Sequence, residues 1–211
     1  EYQKASKEQR EAAKDQGGFV GGWLKDGRRL VQNVIMRSVG ALDADNIPAE
    51  VDFPALVRDK LGGYEYFLYS THSHTPEAPR FRIAILFSSE VAPDEYPALM
   101  RMIAKQISMD YFDDSTYQAN RMMYWASCPA NGTFVFEENA GGPLYADEYL
   151  AMYQDWKDVT QWPTSSRQSE AIRRSISQQQ DPLTKEGLVG VFCRTYSPIE
   201  VAIDTFLNEI Y

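Results

Sequence analysis

The stretch from Leu30 to Asp43 reads as one or two β-strands, rich in apolar and β-branched residues, and it ends on carboxylates. An apolar strand must be covered, so a chain that contains one is committed to a sheet packed on other elements. Two further stretches offer pairing partners. Tyr64–Ser70 is a strand by its aromatics and Phe81–Phe87 is a second one, and the polar, proline-bearing connection between them predicts a hairpin.

Helical periodicity fills the intervals. Phe53, Leu56, Val57 and Leu61 fall on one helix face before Gly62-Gly63 stops the run. Pro93-Asp94-Glu95 opens a second helix carrying Tyr96, Leu99, Met100, Ile103 and Ile107 along one side. Met122–Trp125 and Thr133–Phe136 predict two more strands, the latter introduced by an Asn131-Gly132 turn. The order of strands and helices is mixed, which predicts an α+β fold with a mixed or mainly antiparallel sheet and flanking helices. Residues 1–160 form the expected main domain, with 1–16 as a polar lead-in helix. A linker is expected near 157–168, and 161–211 reads as linker plus a small C-terminal helical segment.

Composition narrows the class. The 211 residues carry a formal charge of −9, with 44% hydrophobic and 24% charged residues, which is ordinary for a globular chain and excludes a disordered or collagen-like one. The longest apolar runs, such as Ile83–Phe87, are far too short to cross a bilayer, and the N-terminus lacks the basic-then-apolar order of a signal peptide. A soluble intracellular protein is expected. Cys128 and Cys193 have neither CxxC nor zinc-ligand spacing, so both read as reduced bystanders. Residues 1–37 hold 8 basic and 5 acidic groups, whereas 38–160 hold 8 and 19. So acidic a middle excludes a protein that coats nucleic acid by bulk charge, but leaves room for one that acts on nucleic acid through metals.

Three segments carry candidate chemistry. Asp43 and Asp45 stand at i and i+2, on one face if the strand continues, and paired carboxylates at an apolar strand end favour a hard divalent cation between them. A solvated strand end would look the same. The only two histidines, His72 and His74, lie with Ser70, Thr71 and Ser73 at a strand end, followed by Arg80 and Arg82 on one face of the next strand. Imidazole, hydroxyl and guanidinium groups together suit a phosphate; a surface hairpin with paired arginines is the plainer alternative. Asp110, Asp113 and Asp114 then precede Asn120-Arg121. Any one of them would complete a carboxylate set able to hold two cations, the arrangement that stabilises attacking and leaving oxygens in phosphoryl transfer.

The order Leu42-Asp43-Ala44-Asp45, then Ser70–Arg82, then Phe112-Asp113 leading to Asn120–Trp125 resembles the archaeo-eukaryotic primase superfamily. Within it, the likeness is to primase-polymerase domains of phage and plasmid replication proteins, often fused to a helicase. The resemblance spans roughly residues 17–145, and Asp181–Ser197 resembles the segment that follows such catalytic domains. It implies a DNA primase or polymerase using two Mg²⁺ or Mn²⁺ ions on Asp43, Asp45 and Asp113, with Asp110 and Asp114 as alternatives for the third position. It implies a phosphate-binding histidine, His72 by a Ser-x-His match or His74 by the longer Ser-His-Thr-Pro-Glu match, the latter preferred. Ser73, Arg80, Arg82 and Arg121 would contact substrate. Implied partners are single-stranded DNA template, ribo- or deoxynucleoside triphosphates and a C-terminal helicase, in the cytoplasm of a bacterial host. A metal-dependent nuclease or phosphohydrolase, and a non-catalytic helicase-loading or DNA-binding module, are the competing classes.

Overall fold

The computed structural model describes residues 15–169 together with Ser6, Glu8, Gln9 and Ala12. Most of the lead-in helix and residues 170–211 of the C-terminal segment therefore lie outside the described residues. Within the described N-terminal stretch, Ser6 Oγ accepts from the Gln9 amide while Gln9 Oε1 accepts from the Ser6 amide, a reciprocal capping box.

Along the chain come β1 (Gly18–Phe19), β2 (Gly22–Leu24), β3 (Val34–Ala44), α1 (Phe53–Leu61), β4 (Tyr66–Ser70) and β5 (Phe81–Val91). They are followed by α2 (Tyr96–Ile107), β6 (Met123–Tyr124), β7 (Phe136–Asn139) and α3 (Ala146–Leu150). Five strands form one sheet in the order β2-β3-β5-β4-β7, antiparallel at every pairing, and β1 pairs with β6 in a separate two-stranded ribbon. The fold is α+β, as the mixed order of elements predicts.

The period of two along each strand sorts the side chains. Leu42, Leu68, Ile83, Ile85 and Phe87 face the helices and are buried with Phe53, Val57 and Leu61 of α1, Leu99, Met100 and Ile103 of α2 and Tyr149 of α3. Each such aliphatic residue is worth about 1.5–3 kcal/mol in transfer from water, so this face supplies most of the drive to fold. Gly40 is part of that fit: a Cβ there would lie 2.7 Å from the Phe87 ring and 2.8 Å from Met100 Sδ, so only glycine lets α2 press this close to β3. Both helices start as their sequences direct. Asp52 caps α1 by accepting from the Ala55 amide at 3.1 Å, and both helices carry a proline in the first turn.

The opposite face carries a row set by register: Asp43 on β3 lies opposite Arg82 on β5, which lies opposite Tyr69 on β4, which lies opposite Phe136 on β7. The predicted hairpin is present as β4–β5, with Ser70 opposite Phe81, and β5 runs on to Val91. Three expectations shift. The expected Thr133–Phe136 strand begins only at Phe136, because the turn closes earlier, with the Gly132 amide on Pro129 O, and the pairing partner is β4. Within Met122–Trp125 only Met123–Tyr124 forms a strand, and it pairs with β1 outside the main sheet. The stretch from 157, read as linker, is tied down as far as Ser166: Arg101 Nη1 donates to Pro163 O at 2.8 Å, and Ser165 is fully buried with its hydroxyl on Asp114.

One cation sits deep in the described body. Arg37, 1% exposed, donates to the carbonyls of Gly21, Val39 and Ala119 and lies 4.2 Å over the Tyr96 ring, so carbonyl dipoles and a π-face replace a carboxylate partner. It joins β2 and β3 to the loop that leads to Arg121.

Candidate active site

Backbone pairing assembles the acidic group. β3 ends at Ala44, which makes an isolated bridge to Phe112, while the Asp113 amide donates to Asp43 O at 2.8 Å and the Asp45 amide to Tyr111 O at 3.1 Å. Phe112 is fully buried and anchors this turn, so the hydrophobic-Asp pair holds its aspartate beside the end of β3. Thr116, also buried, braces the same place, accepting from the Asp43 amide and donating to Ala41 O. Asp43, Asp45 and Asp113 come together; Asp110 and Asp114 do not. Asp110 accepts from the Ser166 amide and Asp114 from the Ser165 hydroxyl, and both hold the docked C-terminal stretch.

Each of the three aspartates has an arginine. Arg82 forks onto Asp43, with Nη2 3.0 Å from both carboxylate oxygens and Nε 3.2 Å from Oδ1. Arg80 Nη1 reaches Asp45 Oδ2 at 3.2 Å, and Arg121 Nη2 reaches Asp113 Oδ2 at 3.3 Å. Asp113 also accepts from the Ser115 amide and hydroxyl. The sequence alternative of paired arginines is thus realised, with the candidate site aspartates themselves as partners. Burial pushes the Asp45 carboxyl above its ordinary value, and the charges of Asp43 and Asp113 add to this, while Arg80 and Arg82 oppose it.

Asp43, Asp45, Arg80 and Arg82 line one wall of a cavity of about 150 Å³. Thr71, His72 and Ser73 line another, and Tyr124, Trp125 and Ser127 complete it. His72 Nδ1 shares a 3.0 Å hydrogen bond with Ser127 Oγ, which fixes the ring at the wall.

His74 is placed differently from the preferred reading. It is 9% exposed, packs 4.8 Å from the Phe81 ring and accepts from the Arg80 amide through Nδ1. Burial lowers its pKa; the ring braces the turn that presents Arg80, and it does not line the cavity. The histidine on the cavity is His72. Arg121 stands behind Asp113, also away from the cavity wall.

Sequence reasoning passed over Tyr124 and Ser127 as wall residues and Thr116 as a brace. Tyr124 matters through its backbone: its carbonyl accepts from Arg82 Nη1 at 2.8 Å and from Tyr69 Oη at 2.9 Å. No local pattern marks a carbonyl for that use. Burial pushes the Tyr69 hydroxyl upward, which keeps it a proton donor.

The fit to divalent cations is chemical and incomplete in arrangement. The donors are hard carboxylate oxygens, and Asp45 sits where added positive charge gains most. Among the described residues, however, no three acidic, histidine or cysteine groups form a cluster that would hold an ion as they stand. A cation on Asp45 would share the site with Arg80, whose Nη1 lies 3.2 Å from Oδ2.

A family model, the VapE N-terminal domain, matches residues 1–165. The chain belongs to the VapE N-terminal domain family. Among solved structures, this family member is similar to the AEP domain (PP-N190) of the primase-polymerase (PrimPol) of cyanophage S-2L. The identity is 16%, the match covers 70% of this chain and 76% of that one, and the TM-score is 0.47. No curated protein matches the chain. Among the described residues no helix is long and apolar enough to cross a membrane.

Proposed function

We propose that the chain is the catalytic domain of a DNA-templated nucleotidyltransferase, a primase or polymerase that adds nucleoside triphosphates to a 3′-hydroxyl. One observation carries the reading. Two carboxylates, a histidine, three serine or threonine hydroxyls and two arginines, drawn from four separate sequence segments, converge on one small cavity, with Asp113 directly behind. Such a mixture of acid and base is wasteful for binding a simple anion, since the aspartates repel it, and useful where cations and phosphates are bound together.

In this reading Asp43, Asp45 and Asp113 would hold Mg²⁺ or Mn²⁺, which when bound would supply positive charge for the attacking hydroxyl and the leaving pyrophosphate. His72 and Ser73 donate to phosphate oxygens. Arg80, at the rim, moves its charge from Asp45 to the triphosphate, and buried Arg82 keeps Asp43 oriented. No side-chain nucleophile is required. The natural partners are a single-stranded DNA template and a helicase following in the same protein, in phage or plasmid replication in the bacterial cytoplasm.

The arginine pairs favour one competitor, a DNA-binding module that has kept the carboxylates as ion pairs without catalysis. The deciding experiment incubates the protein with single-stranded DNA, labelled nucleotides and Mg²⁺ or Mn²⁺, with and without an annealed primer, beside Asp43→Asn and Asp45→Asn variants. Product that disappears in both variants supports nucleotidyl transfer. DNA binding without product in either lane supports the non-catalytic module.

A further inference from the structure

The cavity is too small for what the reaction needs. At about 150 Å³ it is well below the roughly 300 Å³ at which pockets begin to enclose drug-sized ligands, too small to enclose a whole nucleoside triphosphate. At its edge stands Trp125, which lines the cavity yet is 53% exposed. We infer that Trp125 is the stacking platform for the nucleobase of the triphosphate whose phosphates occupy this cavity. The inference rests on the nucleotidyl-transfer reading and adds to it the residue that recognises the base.

Three features prepare the indole for this use. The indole is backed by the Phe19 ring, with centroids 5.0 Å apart at an interplanar angle of 33°, a contact that holds it at the cavity edge. Its backbone is fixed from both sides: the Trp125 amide donates to Gly17 O at 3.2 Å, and the preceding carbonyl, that of Tyr124, accepts from Arg82. The same Arg82 grips Asp43, so a single buried guanidinium sets the distance between the acidic wall and the aromatic edge. The β1–β6 ribbon, which adds nothing to the main sheet, is explained as the support of this edge. A large, rigid aromatic face left in water beside an anion cavity is costly unless a flat apolar partner covers it, and a nucleobase is one.

The test compares two ligands by calorimetric titration in Mg²⁺ or Mn²⁺: adenosine triphosphate, and inorganic tripolyphosphate, which has the phosphates without the base. Wild type, Trp125→Ala and Trp125→Phe are titrated, with thermal unfolding run on each. Trp125→Ala is expected to weaken the nucleotide about tenfold or more and tripolyphosphate by less than about twofold, with Trp125→Phe recovering most of the loss. Equal weakening of both ligands, or an unchanged nucleotide affinity in Trp125→Ala, overturns the stacking role while leaving the nucleotidyl-transfer reading intact. An effect confined to a single-stranded oligonucleotide added in a parallel arm also overturns it, assigning the indole to the template. Wild-type protein that binds neither ligand overturns both readings together.

Discussion

Arg82 and Asp43 face each other across adjacent strands, and their bidentate pair is buried on both sides, with side chains 7% and 11% exposed. A buried pair of this kind is a weak source of net stability, yet removing one partner strands the other without solvent. Arg82→Met is therefore expected to cost about 3–5 kcal/mol, and Arg82→Lys less, since an ammonium replaces one of the donors but not the fork. The double variant Asp43→Asn/Arg82→Met should recover a large part of the loss. Urea unfolding of the four proteins measures this, and an Arg82→Met midpoint equal to wild type would show that Asp43 finds other solvation.

Asp45 stands at a disadvantage while ionised. Its folded pKa is raised by burial first and then by Asp43 and Asp113, so its contribution to stability is most favourable below the unfolded value of 3.8 and is lost as pH rises through the raised folded value. At neutral pH the charged form is a cost. Asp45→Asn is expected to raise stability at pH 7, seen as a higher melting temperature, with the gain shrinking toward pH 4. The same variant should lose nucleotide incorporation altogether. A variant that is both less stable and still active contradicts the assignment of Asp45 to function over structure.

His74 gives a pH dependence of the opposite window. Burial lowers its folded pKa below 6.5, so its contribution is complete above that unfolded value and is lost as pH falls through the folded one, when the ring must be protonated against Phe81. His74→Asn offers an oxygen in place of Nδ1 to the Arg80 amide and has nothing to titrate. Between pH 7 and 5 the wild type should lose more stability than His74→Asn, measured as the difference between their unfolding free energies at each pH. A constant difference across that range would mean that the ring titrates alike in the folded and unfolded chain.

The fold was legible where a local rule had a single outcome. The helical spacing of Phe53, Leu56, Val57 and Leu61, the aromatic run of β4 and the apolar run of β5 each left one conformation, and the structure has all three. The acidic and basic segments were legible as a set, because Asp43, Asp45, Asp113, His72, Ser73, Arg80 and Arg82 are polar at places where a buried strand end has to justify them. What could not be read is which of two equivalent residues points inward. His72 and His74 share one face by period-two reasoning, but the 71–74 stretch is a turn, closed by the His74 amide on Thr71 O, and a turn breaks that periodicity. Likewise, β6 has a strand composition, yet pairing with β1 depends on Gly18, where a Cβ would lie 2.4 Å from Met123 O. Such contacts are tertiary and leave no mark in either segment alone.

The three aspartates after α2 offer the sharpest separation of site from scaffold. Asp113 stands beside the end of β3, and its charge reaches Asp45, whereas Asp110 and Asp114 accept from the Ser166 amide and the buried Ser165 hydroxyl. Asp113→Asn keeps one oxygen to accept from the Ser115 amide and places an NH2 that can donate to the Ser115 hydroxyl, and so should unfold within about 1 kcal/mol of wild type, while incorporation falls on the order of 100-fold or more. Asp114→Ala leaves a buried hydroxyl without its acceptor and should cost about 1–3 kcal/mol, with incorporation per folded molecule close to wild type. Asp110→Ala should behave in the same way with a smaller loss, since the Ser166 amide is exposed to water. Denaturant unfolding and primer extension on the same three preparations decide the matter. A stable but inactive Asp110→Ala or Asp114→Ala protein, beside an active Asp113→Asn one, would move the third acidic position to the neighbouring residue and require the 110–114 turn to rearrange when the site is loaded.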